Sequence, residues 1–199
     1  ITCKEKNILV NPDGVPVARI GRPCETEGLP AGVSGSTERC KRLEAAAERM
    51  TYTFVVTEKT ALLTYKFALV LADPAGQNSA HTGEQLPQFS FKISSVGADG
   101  AEKSLSCSEY SVKVGSSDLE VNGRCALSST RSGNDPEDYK FKNWTTGAID
   151  LTSQIGNTVT IDVWTHDCLV ENTCSGVPTR VAGGHDAWGY FWAETRELE

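Results

Sequence analysis

Asp73, His81, Glu84, Gln85, Asp167, His185 and Asp186 are the residues of this chain whose types and positions could do chemistry, because each falls at or beside the end of a predicted strand. In an antiparallel β structure such ends can gather at one rim. Asp73, Glu84, Asp167 and Asp186 would bring hard oxygen donors there, the kind that Ca2+ takes, and a bound cation would fix loops with little secondary structure of their own. Asp73, His81, Gln85, Asp167 and His185, together with Trp164, are the candidates for a ligand pocket at the same rim. The alternative is that Asp73 and Asp167 cap turns through backbone hydrogen bonds while the histidines hold loops together. Both readings stay open on the sequence.

A second constellation is His166, Cys168, Cys174 and His185, spaced H-x-C-x5-C-x10-H. These are tetrahedral zinc ligand types, but there is no tight two-residue chelate, and neighbouring cysteines in an oxidising compartment form a disulfide instead. The seven cysteines contain no CxxC pair, and their wide, irregular spacing suits an oxidised, exported protein. Local pairing would join Cys107 to Cys125 across a hairpin, Cys168 to Cys174 across a loop and Cys24 to Cys40, leaving Cys3 over. The start at Ile1 and the terminal Leu198-Glu199, a common cloning scar, suggest a piece of a longer exported protein with neighbouring domains.

Catalytic signatures are absent: the sequence has no GxSxG elbow, HExxH, P-loop or dinucleotide fingerprint. Cys168 beside His166 or His185 is a conceivable nucleophile, but a disulfide uses the same atom. Asp162 and Glu194 are the carboxylates that could be paired for glycoside hydrolysis, and nothing singles them out. The expectation is therefore a protein that is not an enzyme. Trp164 is the more telling residue. In TVTIDVWTH (158–166) Val159, Ile161, Val163 and Thr165 point one way, and Asp162, Trp164 and His166 the other. An indole opposite the apolar face is either packed in a second layer or presented as a platform on which a sugar ring can stack.

The elements that must position these residues are strands. Thr51–Thr57, Leu62–Ala72, Phe89–Val96, Ser104–Val114, Asn143–Leu151, Thr158–His166 and Asp186–Glu197 are alternating or β-branched segments bounded by Gly, Asn, Asp, Ser and Pro. Trp188, Tyr190 and Trp192 share one face of the last, where core packing competes with a surface role. Residues 4–22 predict a hairpin turning at Asn11-Pro12-Asp13-Gly14, residues 23–40 a long loop, and KRLEAAAERM (41–50) a helix by propensity. With 199 residues, one all-β domain of about eight to ten strands is expected, arranged as a two-sheet antiparallel sandwich with Greek-key or jelly-roll wiring. A net charge of −7, with no basic cluster, disfavours nucleic acid and anionic membranes. The longest apolar run, Ala61–Ala72, contains Lys66 and is too short to cross a bilayer. Asn143-Trp144-Thr145 matches the N-glycosylation sequon, although Trp144 reads more simply as a strand anchor.

Ordered motifs over residues 40–195 also carry a resemblance. Arg42-Leu43, Tyr52-Thr53-Phe54, Tyr65-x-x-Ala68-Leu69-Val70-Leu71-x-Asp73-Pro74 and Pro87-x-Phe89 are followed by Trp144-Thr145-Thr146, Asp150-Leu151-Thr152, Ile155 to Ile161, Thr165-x-Asp167-Cys168, Gly183-Gly184-His185 and Gly189-Tyr190. This succession resembles a jelly-roll module of large secreted adhesins of gliding and related bacteria, and is similar more widely to MAM-like and cleaved-adhesin domains of concanavalin or galactose-binding type. The resemblance implies a noncatalytic adhesion or ligand-binding role at a cell surface, with a glycan or a host or cell-surface protein as partner. The alternatives are a passive spacer in a repeat-built stalk and an accessory carbohydrate-binding domain of a secreted hydrolase. The chain departs from the family in two places: residues 169–182 (LVENTCSGVPTRVA) replace a very short connection, and the last strand ends in Ala193-Glu194 where family members place Asp.

Overall fold

The alternation in TVTIDVWTH is realised over the same nine residues: Val159, Ile161, Val163 and Thr165 are buried, and Asp162, Trp164 and His166 lie half-buried on the opposite face. A computed structural model describes residues 14, 16–21, 47–73, 83–122, 138–167, 169–174, 177–182 and 187–198. In chain order the strands among these are β1 (Ala18–Ile20), β2 (Ala47–Val55), β3 (Leu62–Asp73), β4 (Gln88–Val96), β5 (Glu102–Lys113), β6 (Glu120–Asn122), β7 (Asp138–Asp150), β8 (Thr158–His166), β9 (Leu169–Cys174), β10 (Val177–Ala182) and β11 (Ala187–Arg196).

Two antiparallel sheets face each other, one ordered β1-β11-β3-β7-β6 and the other β2-β8-β4-β5. Taking β1, β2, β3, β4, β5, β7, β8 and β11 as the eight framework strands, the orders β1-β11-β3-β7 and β2-β8-β4-β5 are jelly-roll wiring. The expected sandwich is therefore found, with β6 added at one edge. Most connections cross from sheet to sheet, so strands that follow one another in sequence line opposite walls of one interior.

That interior is aromatic. From β3 come Leu63, Tyr65, Phe67, Leu69 and Leu71, and from β11 Phe191; Phe89, Phe91 and Ile93 of β4 and Val159, Ile161 and Val163 of β8 meet them from the facing sheet. Burying each large apolar side chain contributes about 1.5–3 kcal/mol. The near-continuous apolar run of β3 also has a cause. Its other face, with Val70 and Ala72, packs with Trp188 in a second cluster flanked by Phe141 and Tyr190. Core packing thus holds for Trp188. Trp144, with Asn143, forms a bulge in which β7 places two residues against Ala68, and its ring lies 6.2 Å from that of Tyr190. Across from Tyr65 stands Gly147, which has room for no side chain because the Tyr65 ring lies over it.

One expectation is corrected. Residues 41–46 lie outside the described residues, but Ala47–Met50, predicted helical, begin β2. Helix propensity there amounts to a few tenths of a kcal/mol per residue. Against it stand an unbroken nine-residue ladder to β8, from Ala47↔His166 to Val55↔Thr158, and the packing of Met50 and Phe54 on the core. The turn expected at Glu58-Lys59-Thr60 is a single 3-10 turn in which Thr57 and Thr60 cap each other. The hairpin predicted at residues 4–22, apart from Gly14 and residues 16–21, and the loop at 23–40 lie outside the described residues.

The departure at residues 169–182 folds as a hairpin of its own. β9 pairs with β10 from Leu169↔Ala182 to Cys174↔Val177, and neither strand joins a sheet of the sandwich. The side chains of all seven cysteines lie outside the described residues.

Candidate ligand-binding face

Several of the strand ends that carry the sequence candidates meet at one end of the sandwich. The end of β3 at Asp73, the 3-10 turn Gly83–Gln85 before β4, the end of β8 at His166 and the start of β11 at Ala187 lie at one end of the sandwich, with β9 against the 3-10 turn. Asp167 links the two sheets there: its Oδ1 accepts the backbone N–H of Ala187 at 2.8 Å. That oxygen is engaged by backbone twenty residues on and not by its own turn, so it holds β8 and β11 together. Gln85 is half-buried in the 3-10 turn. His81, His185 and Asp186 lie outside the described residues, as do the side chains of Asp73 and Glu84. Among the described residues no three His, Cys, Asp or Glu side chains come together as a metal-ligand group. Asp162 and Glu194 stand on the outer faces of different sheets, about 10 Å or more apart across the sandwich, so they do not form a paired-carboxylate cleft.

The more developed polar arrangement is the outer face of the four-stranded sheet. Register fixes its rows, since cross-strand partners share a face. One row runs Arg49, Trp164, Ser90, Ser111; below it lie Thr51, Asp162, Lys92 and Glu109; above it lie Ala47, His166, Gln88 and Lys113. Trp164 is half-buried at the centre. On one side of it Arg49 forks onto Asp162, with Nε 2.8 Å from Oδ1 and a second contact from Nη2 to Oδ2, and Thr51 Oγ1 donates to the same carboxylate at 2.6 Å. On the other side the Gln88 amide donates to Ser90 Oγ at 2.8 Å and Ser111 Oγ at 2.7 Å. The Gln88 carbonyl faces His166 Nε2 at 2.9 Å, and His166 Nδ1 lies 3.0 Å from the Asp167 carbonyl. Side chains flanking the indole are thus held in place by one another.

These contacts shift acidities in a consistent direction. The hydrogen bond from Arg49, helped by Thr51, holds the Asp162 carboxyl below the usual carboxylate range. Between β5 and β7, Lys142 Nζ and the Tyr110 hydroxyl reach Asp118 at 2.9 and 2.6 Å and lower it too, while burial and the nearby Asp118 push the Tyr110 phenol up. A carboxyl whose folded pKa is depressed contributes stability above its unfolded value and loses it as pH falls through the folded one. The melting temperature is therefore expected to hold from about pH 8 to about pH 5 and to fall progressively below that. Calorimetric melts of the parent and of Asp162→Asn check this: the variant, lacking one such carboxyl, should show a shallower acid decline. Superimposable slopes would remove Asp162 from the account.

No family model matches the chain, and no curated protein is similar to it. The sequence had set Asp162, Trp164 and His166 on one face. Their partners Arg49, Gln88, Ser90 and Ser111 went unassigned, since only the register of β2, β4 and β5 brings them together. For Arg49 the signal was masked by reading its segment as helix.

Proposed function

We propose that this domain is a noncatalytic glycan-binding module with an adhesive role, part of a secreted or cell-surface protein and joined there to neighbouring domains. The observation that carries the reading is Trp164, an indole on the solvent side of a rigid sheet with mutually braced polar side chains on both flanks. A pyranose has an apolar C–H face and a rim of hydroxyls. An aromatic ring bordered by fixed donors and acceptors matches both features and costs little side-chain ordering on binding. The resemblance to secreted adhesin modules points the same way, and the jelly-roll frame supplies a fully hydrogen-bonded support beneath the indole.

The test is a glycan array, followed by calorimetry on any ligand found, with the parent protein and Trp164→Ala. Loss of the stacking platform is expected to weaken binding tenfold or more, about 1.4 kcal/mol or above, while the melting curve shows the variant folded. An array silent for the parent would reject the reading and favour a spacer or a protein-binding module. Binding unchanged in Trp164→Ala would place the site elsewhere.

A further inference from the structure

On the outer face of the four-stranded sheet the described acidic and basic residues are equal in number, and two of the cations are held by carboxylates. Arg49 is engaged by Asp162. Lys92 Nζ lies 2.6 Å from Glu102 Oε1 and sits opposite Glu109 in the ladder. Lys113 completes the basic residues that register places on this face, so Arg49, Lys92 and Lys113 stand against Asp162, Glu102 and Glu109. No sign of charge predominates around Trp164.

The serines beside the indole add a second observation. Ser90 points to the solvent side of the sheet, between Trp164 and Ser111, yet is 0% exposed. Its hydroxyl accepts from the Gln88 amide at 2.8 Å and donates to Ser111, so it is tied into the row beside the indole. Ser111 accepts from both the Gln88 amide and the Ser90 hydroxyl, at 2.7 and 2.9 Å, so its own O–H is free to point away from the network, and Ser111 is exposed. Arg49 retains N–H donors beyond the two turned to Asp162.

We infer that the ligand of this face is a neutral pyranose chain, not a uronate- or sialate-bearing one. This rests on the glycan-binding reading above. The sugar's C–H face stacks on Trp164, and its hydroxyls accept from Ser111 and from the outward N–H groups of Arg49. A carboxylate sugar would need an unpaired cation, and the Arg49 fork that suits a carboxylate is already filled by Asp162.

The experiment compares neutral oligosaccharides (gluco-, manno-, galacto- and N-acetylglucosamine-based) with galacturonate, mannuronate and sialylated oligosaccharides of matched length. Affinities are measured for the parent, Trp164→Ala and Asp162→Asn, each checked for folding by circular dichroism. The parent is expected to bind at least one neutral series, with acidic series at least tenfold weaker. Asp162→Asn frees the guanidinium and should narrow that ratio by about tenfold, whereas Trp164→Ala should lose the neutral ligand. A parent that prefers acidic glycans overturns the inference and leaves the glycan reading standing. Absence of any glycan binding overturns both. An unchanged ratio in a folded Asp162→Asn overturns the claim that the ion pair sets the preference.

Discussion

Phe91→Ala is expected to lower stability by about 3–5 kcal/mol, the usual range for removing a large aromatic side chain from a close-packed core. Phe91 is 2% exposed and stands where the two sheets meet. Its ring lies 5.2 Å from Tyr65, 5.1 Å from Phe67, 5.4 Å from Phe191 and 5.9 Å from Tyr110, so rings from β3 and β11 on one sheet and from its neighbour β5 on the other all lose a partner. Edge-on and offset ring pairs add about 0.5–1.5 kcal/mol beyond area burial. For a chain of this length each kcal/mol lowers the melting temperature by about 2–4 °C, so a fall of roughly 6–20 °C should be seen by calorimetry. A shift of only a degree or two would mean that the aromatic interior is not the principal support of the fold.

Gly189→Ala tests the same interior from the opposite direction, by adding volume. Gly189 is on the inward face of β11, between Ala187 and Phe191, and a Cβ there would overlap the Phe89 ring of the facing sheet. Phe89 is itself 0% exposed, packed between the two sheets. Overpacking of a filled core costs about 1–3 kcal/mol. A pair with the smaller residue Phe89→Leu distinguishes steric overlap from a glycine-specific backbone effect: the double variant should recover part of the loss. If it recovers none, ring overlap is not the cause.

The framework was legible where one strand carries its own pattern. Thr158–His166 was read to the residue, and Leu62–Asp73 and Gln88–Val96 to within one, because the alternation of buried and exposed side chains is set by the strand itself. The start of β2 was not, since Ala47, Glu48 and Arg49 are good helix formers and the ladder that overrides them involves residues more than a hundred positions away. β6, β9 and β10 escaped for a related reason: they are short and carry little apolar alternation. Of the candidate residues, Trp164 and Asp167 occupy different places in the fold. Asp167 belongs to the joint between β8 and β11, while Trp164 sits in a lateral row assembled from four strands, and no spacing within one segment announces such a row.

The hairpin β9–β10 completes its ladder internally and lies between two framework strands whose own hydrogen bonds are made without it. Residues 169–182 are consequently a position at which this architecture tolerates exchange: a loop of other length or sequence could be set between β8 and β11 without altering a single rung of either sheet, so new recognition surfaces can arise beside the rim while the frame beneath is left intact.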